Sequence, residues 1–592
     1  MQKSILCLLS PSKNEKTLLL LCIILLVILL PHITFLESKF IDGDDLLRVV
    51  QNPLIRNIHL QGLANDIDGF FSYHYPSFLL TYFWGCIFSI WELNHIGFHF
   101  ISYLLHAICA GLVFLFLVRI TGRVILSFFS TLIFGLHPIH CEAVNWICRQ
   151  DMLLSTFFGL IFLHLSLGRG ISSRIFAFFS ILIAIIITPI SFLFLIAKYL
   201  IIPADSDKPF LQVYDVITLA CFLGIWGWKM FSFPFSNLFI KAPSSIYYMI
   251  LSFIMPWKIH FMLPIFSGSF LSHGIFFLVL LFSAGWIFFR SHEKSWGLLL
   301  LMLLSAWLLH AYTGRFNGAW TYISLLWGSM AFGIGFSRIT IENLYAKGFI
   351  LFIALAIFSS FGVLTYKRNR AWRKTETLVK DSLQESPSDP MLLAMYGHYK
   401  AAMLDAKESE KAFHKIKEPS FSTLCLRAMS YHLLQQLRNA SNTFGRLFKE
   451  YPKEYINKYC LFDYAVLKLQ HGHSQEAKEL YGKICRRDPY FIYAWHDLGT
   501  LFIRGKEEKR GLKMLNRALA IAPAYRPTLE NLAIYYMKHR EYKKAAFYVG
   551  SALKSTSCHD TQDFYRGWLA SLGKKRSFKY ASLRWAKLTP PG

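Results

Sequence analysis

Apolar residues crowd the chain in long runs from about residue 17 to residue 366 and then stop. A helix crossing about 30 Å of hydrocarbon needs about 20 such residues. The runs predict spans near 17–36, 96–118, 124–138, 152–167, 175–188, 190–203, 211–230, 272–289, 296–310, 319–336 and 348–366, with Pro189 breaking the fifth from the sixth. After 366 the pattern turns polar and basic. An all-α chain in two parts is expected. A polytopic membrane domain covers 1–366, with a first outer loop at 37–95, and a linker at 367–390 leads to an α-solenoid at 391–592.

The run Ser77–Trp91 is ambiguous by length, because its 15 residues reach about 22 Å as a helix. Its Phe, Tyr and Trp content suits a helix lying in the membrane interface. Charge resolves the choice. With 77–91 flat, Arg119, Arg123, Arg169, Arg174, Lys208, Arg290, Lys294, Arg338 and Lys347 fall in cytoplasmic loops, as the positive-inside rule expects. Counting it as a span inverts every loop. Lys3, Lys13 and Lys16 precede Leu18–Leu30, and Pro31 opens a poor cleavage site. These features predict an uncleaved signal anchor with a cytoplasmic N-terminus. About eleven spans then place five features on the extracytoplasmic side. They are the loop after span 1, the polar stretch 137–151, the 231–271 loop, Arg315 between spans 9 and 10, and the solenoid.

The polar C-terminal part repeats itself every 34 residues. Trp495, Leu498, Gly499, Phe502, Leu515, Ala518 and Pro523 fit the tetratricopeptide pattern, and Leu529, Leu532, Ala533, Tyr536, Ala545 and Ala552 continue it. Tyr464, Ala465, Ala477 and Pro489 form the preceding copy. Ala428, Tyr431, Ala440, Phe444 and Pro452 form another, offset by three extra residues. The repeats are clear over about 424–557 and weak over 391–423. Small residues at the alanine positions let paired helices pack closely, and such a solenoid offers a concave surface to a peptide or protein.

Composition agrees with this division. The 592 residues have a mean hydropathy of +0.38 and are 17% aromatic, too apolar for an ordinary soluble protein. The net charge of +26 does not point to nucleic acid, since no motif accompanies it. Cations flanking spans and a basic domain beside an anionic membrane account for it. Eleven scattered cysteines contain no CxxC pair, which excludes a zinc ribbon or a disulfide framework.

The chemistry gathers on the outer side. Asp44 and Asp45 follow span 1 closely. If adjacent carboxylates face one cavity, either one keeps a raised pKa and acts as a base, or both hold a divalent Mg or Mn ion. A solvated IDGDD turn is the plain alternative. The stretch LHPIHCEAVNWICRQDMLLS is costly between apolar segments unless it meets water or a ligand. In it His137, His140 and Glu142 are candidate ligands, and helical spacing puts 137 and 140 on one face. No second pair of zinc type is visible, and hydrogen-bonded structural histidines fit as well. Arg149 and Asp151 either pair with each other, or Arg149 faces a phosphate while Asp151 orients a hydroxyl. Arg315, in AYTGRFNGAWTY, suits phosphate binding and interfacial anchoring equally.

The pieces DGDDLLRVVQNPLI, YHYPSFLLTYFW, GFHFISYLLHAICAGLVFLFL and LHPIHCEAVNWICRQDMLLSTFF resemble the transmembrane-and-tetratricopeptide O-mannosyltransferase family and its bacterial relatives. The linker RNRAWRKTETLVKDSLQESPSD is similar as well, and the likeness is poor over about 204–270. The resemblance implies a membrane glycosyltransferase of the GT-C fold, an aspartate in the first outer loop near the acceptor hydroxyl, interfacial helices in that loop, and a polyprenyl-phosphate sugar donor. Asp44 and Asp45 match the family's acidic pair, and Asn52-Pro53 its Asn-Pro. His137, Pro138, His140, Glu142, Trp146, Arg149 and Asp151 match its HPxHxEAVxWxxxRxD-like stretch. Two positions depart. Thr188-Pro189 stands where relatives carry Lys-Pro, which removes one phosphate contact. Gly314 replaces an acid before Arg315, and Tyr322 follows later than in relatives.

The expectation is therefore transfer of a hexose, mannose foremost, from a lipid phosphate to a protein Ser or Thr, with inversion. Asp44 or Asp45 is the base, Arg149 or Arg315 meets the phosphate, and the repeats hold the acceptor protein. The host membrane is bacterial inner membrane or endoplasmic reticulum, with the site on the periplasmic or lumenal side. The rivals are a non-catalytic scaffold, a transporter, and a transferase acting on a lipid or glycan.

Overall fold

The computed structural model describes residues 13–41, 45–50, 52, 55, 78–168, 170–202, 216–218, 263–264, 297–303, 305, 315–316, 319, 321–339, 341–451, 457–555 and 559–573. The chain divides into two compact units, Met1–Arg48 with Leu93–Glu385, and Val49–Glu92 with Ser386–Gly592. The described residues are overwhelmingly helical. Their one strand pairing is a two-residue antiparallel bridge, Leu263–Pro264 against Arg315–Phe316.

The first unit is built on apolar helices. These are α1 (Lys13–Leu29, continued by a 3-10 stretch Leu30–Glu37), α3 (His95–Thr121), α4 (Val124–Leu136), the one-turn α5 (Cys141–Asn145), α6 (Gln150–Ser166), α7 (Ile171–Ile187), α8 (Leu193–Ile201), α9 (Thr321–Gly335), α10 (Leu344–Ala371) and the polar α11 (Thr375–Glu385). Helix α2 (Phe78–Trp91) belongs to the second unit's residues. Helix α3 begins after Asn94, whose side chain accepts from Ile96 N–H, and ends at Gly122 with φ 68°. It packs on α1, α4, α6 and α9. Small residues permit close approach without a hydrophobic drive. At Gly159 of α6 a Cβ would meet the Phe194 ring, and at Gly135 of α4 the Ile28 side chain.

Three described helical stretches are long and apolar enough to cross a membrane: Asn14–Thr34, His95–Thr121 and Leu344–Ala371. A fourth arises if Val124–Leu136 and Pro138–Asn145, bent by 42°, form one span. The predicted spans 152–167, 175–188, 190–203 and 319–336 coincide with shorter helices, 272–289 and all of 211–230 except 216–218 lie outside the described residues, and of 296–310 residues 297–303 and 305 are helical. Helix α10 is exposed along nearly its whole apolar length and buries only Thr365 and Asn369 near its end.

The second unit stacks helical hairpins. First helices are α12 (Pro390–Ala402), α14 (Phe421–Leu433), α16 (Lys458–Gln470), α18 (Ile492–Arg504) and α20 (Arg526–Lys538). Their partners are α13 (Ala406–His414), α15 (Leu437–Glu450), α17 (Ser474–Arg487), α19 (Glu508–Ile521) and α21 (Tyr542–Lys554), and α22 (His559–Gly573) closes the stack. Starts at 458, 492 and 526 lie 34 residues apart, as do 474, 508 and 542. The steps before them are 31 and 37 residues, so the three-residue offset is a longer connection between α15 and α16. Each hairpin turns on one left-handed residue: Leu404, Gln435, Gly472, Lys506 and Arg540, with φ of 58–82°. The N–H after each closes a six-residue ring, such as Glu507 to the Phe502 carbonyl at 2.9 Å. Backbones touch at Gly499 and Gly511, where a Cβ on Gly511 would lie 2.7 Å from the Gly499 carbonyl oxygen.

Candidate functional site

Asp44 lies outside the described residues. Asp45 is fully buried, and its carboxylate accepts two backbone N–H groups. Ile41 donates to Oδ2 at 3.1 Å and Cys148 donates to Oδ1 at 2.9 Å. The second bond crosses 103 residues and fastens the segment after α1 to the turn Ile147–Arg149. Charged acceptors hold backbone donors more strongly than neutral ones. Asp45 is thus a structural tie and not a residue of a solvated turn.

The stretch it ties down is folded by Pro138. A residue before proline is pushed to extended backbone, and His137 has φ −67° and ψ 126°, which ends α4. The chain then runs through a 3-10 turn at Pro138–His140, the single turn α5, a second 3-10 turn at Ile147–Arg149, and into α6. Residues 137–148 are buried throughout. The expected common helical face of His137 and His140 therefore does not exist. His137 Nδ1 accepts from Ile139 N–H at 3.2 Å, and its ring stands edge-on to Phe361. His140 instead sits among His106, Phe134 and Tyr322, with centroids 5.4, 4.9 and 4.5 Å away. Among the described residues no group of three His, Cys, Asp or Glu side chains is placed to hold a metal ion.

Glu142 is buried in α5. The Arg149 guanidinium lies over the Trp146 ring, 4.9 Å from its centroid. Asp151, in the first turn of α6, accepts from Met152 N–H at 2.9 Å and interacts with the charges of Arg149 and then Arg48. Arg48, three residues beyond Asp45, is a cation that the motif reading missed. The structure thus brings together Asp45, Arg149, Asp151 and the Glu142 segment. Arg315 is paired by its backbone with Pro264, and its side chain lies outside the described part of the structure.

A second polar layer also escaped the sequence reading. Tyr103 donates to Asn145 Oδ1 at 2.5 Å, and Asn145 Nδ2 donates to Asn369 Oδ1 at 2.7 Å. Asn369 Nδ2 reaches the Pro31 carbonyl and His32 Nδ1, both at 2.9 Å. His106 bridges the Tyr322 hydroxyl at 2.8 Å and the Gly135 carbonyl at 3.0 Å. Gln150 donates to Ser102 Oγ at 2.7 Å. The signal was present in α3, where His99, Ser102, Tyr103 and His106 recur on one helical face. At the exit of α10, Arg373 pairs with Glu37 at 2.5 Å and its carbonyl accepts from Lys39 N–H at 2.8 Å. The 137–151 stretch is thereby held from α1, α3 and α10 at once.

No protein-family model matches this chain, and no curated protein matches it in sequence.

Proposed function

We propose that the chain is a multi-pass membrane glycosyltransferase that moves a hexose from a polyprenyl phosphate to a protein hydroxyl on the extracytoplasmic face. The observation that carries the reading is the Asp45–Cys148 bond. It joins the acidic segment after the first helix, which matches the family's acidic pair, to the Arg149–Asp151 segment of the most specific matching piece.

In the proposed reaction Asp44 takes the proton from a Ser or Thr hydroxyl. The hydroxyl oxygen forms the new bond to the anomeric carbon from one face. The bond from that carbon to the phosphate oxygen breaks on the other face, and the lipid phosphate leaves with the electron pair. Arg149, Arg48 and Arg315 are the cations available to the developing phosphate charge. Asp45 positions the loop that carries Asp44. The eleven-span topology, the GT-C arrangement and the reading of residues 391–592 as a tetratricopeptide solenoid belong to the same proposal. The 34-residue step of both helix series supports the last of these. The solenoid would raise the concentration of bound acceptor near the site.

The test is a panel of labelled polyprenyl-phosphate hexoses, mannose included, offered to the purified protein and its co-purified partners, with and without chelator. Label on protein from one donor names the sugar, and the chelator lane settles the metal. No label from any donor, with the protein folded and its partners present, would favour a membrane-anchored scaffold.

A further inference from the structure

Many cations of the hairpin stack are satisfied locally. On the first helices several have partners close by. Lys458 pairs with Asp488 at 2.5 Å, Lys468 with Glu476 at 2.8 Å, and Arg427 donates to the Tyr431 hydroxyl at 3.0 Å. On the second helices Lys411, Arg446, Lys478, Arg510 and Lys544 are paired as well, with Glu408, Glu450, Glu507, Glu507 and Glu541, but another set there is not. Lys407, Arg438, Lys509 and Lys543 each stand second in α13, α15, α19 and α21. Lys449 and Arg486 stand thirteenth in α15 and α17. All six are exposed, and none has an acidic group within ion-pair reach among the described residues. At 100° per residue, positions 2 and 13 share the face opposite positions 4, 8 and 11. Those positions are the buried ones, Ala440, Phe444 and Leu447 in α15 and Ala477, Tyr481 and Ile484 in α17. These cations therefore stand in an outer row on the exposed side of the second helices, interrupted at α17, where Gln475 is second and Arg486 lies at the other end of the helix. Residues 391–592 carry 35 Lys and Arg against 17 Asp and Glu, which is +18 of the chain's +26.

We infer that this outer row is a docking surface for an anionic lipid bilayer. The surface is the outer side of a helix layer with no cleft, so it reads charge density and not shape. Phe547, 68% exposed on the same face, adds the amphipathic side group that interfaces favour. The tether selects the occupant. Only residues 372–389 separate the apolar helix α10 from the first hairpin, and 11 of them are the helix α11. Anionic headgroups are therefore at high effective concentration for this row, and each cation near such a surface biases the contact about fivefold. The inference needs the apolar helix and the hairpin stack, and is independent of the glycosyl-transfer reading.

The full chain is reconstituted in nanodiscs of phosphatidylcholine alone, or of two parts phosphatidylcholine to one part phosphatidylglycerol. Lysines are acetylated with an uncharged reagent and read by mass spectrometry, with Lys468 as internal reference. Lys407, Lys509 and Lys543 should label about fivefold more slowly in the anionic discs, and high salt should abolish the difference. In the Arg438→Gln/Lys509→Gln/Lys543→Gln variant the protection of Lys407 should be lost. Equal rates in both discs would overturn the inference. So would protection that appears only on adding polyglutamate or an oligonucleotide, which would assign the row to an acidic protein or to nucleic acid.

Discussion

At the scale of single residues, the proposed reaction gives the two carboxylates after the first helix different parts. Asp45 spends both oxygens on backbone donors from Ile41 and Cys148, so the proposal assigns the base to Asp44. Asp45→Ala should lower stability by about 1–3 kcal/mol, the cost of stranding buried donors, and reduce transfer only in proportion to the loop it releases. A thermal unfolding curve superimposable on wild type would contradict this. Buried histidines in the repeats set a pH dependence. Burial depresses His496 to about 3 and His398 to about 4. The unfolded chain, with histidine near 6.5, then binds more protons than the folded one as pH falls from 6.5 toward 4. Stability present above pH 6.5 is lost on acidification, by about 1.4 kcal/mol per unit for each group. His432 works the other way, because although burial lowers it, its bond to Asp463 raises it further, so its contribution is present at low pH and lost as pH rises. Removing one depressed histidine, in His496→Gln, should flatten the fall of melting temperature between pH 6.5 and 5. An unchanged slope would exclude His496 as a source. The residue types of this site were legible in the chain, but their partners were not. Nothing local announces that the Cys148 N–H serves Asp45, and the apparent pairing of His137 with His140 failed because Pro138 ends the helix between them.

At the scale of elements, every hairpin needs one left-handed residue, and four of the five positions lack glycine. A side chain there costs about 1–2 kcal/mol against the right-handed conformation, partly offset by the freedom glycine adds to the unfolded chain. Lys506→Gly should therefore stabilise the protein by about 0.5–1 kcal/mol, read as a rise in melting temperature. The opposite is expected at Gly511, where a Cβ would lie 2.5 Å from Ile503 Cγ1 and 2.7 Å from the Gly499 carbonyl oxygen. Gly511→Ala should destabilise by about 1–3 kcal/mol, since backbone must move to admit it. A neutral effect would mean that α18 and α19 are less closely packed than described. The repeat period was readable because alanines and glycines recur wherever two helices touch. The first hairpin was faint for a physical reason. Ser409 takes the small-residue position and Leu404 the turn, and a 31-residue step breaks the period. In the first unit, hydropathy found the described apolar helices but hid the polar face of α3, because four hydrogen-bonding residues in 27 barely lower an average.

At the scale of the whole molecule, a unit of apolar helices presents a pinned polar stretch and a basic hairpin stack follows it in the chain. Positive-inside counting proposes a side for both, and a reporter fused at Arg123 should be cytoplasmic in the proposed eleven-span topology. Its appearance outside would invert the arrangement and remove the lipid-phosphate donor's rationale. The central claim is catalysis, and the most direct measurement compares wild type with Asp44→Asn in one reconstituted preparation. Label is followed from polyprenyl-phosphate hexose to protein, with unfolding curves recorded on the same samples. The account predicts transfer by wild type and at least a hundredfold loss in Asp44→Asn at unchanged stability, the scale expected of a general base. Wild-type transfer that survives in both Asp44→Asn and the Asp44→Asn/Asp45→Asn double variant would contradict it.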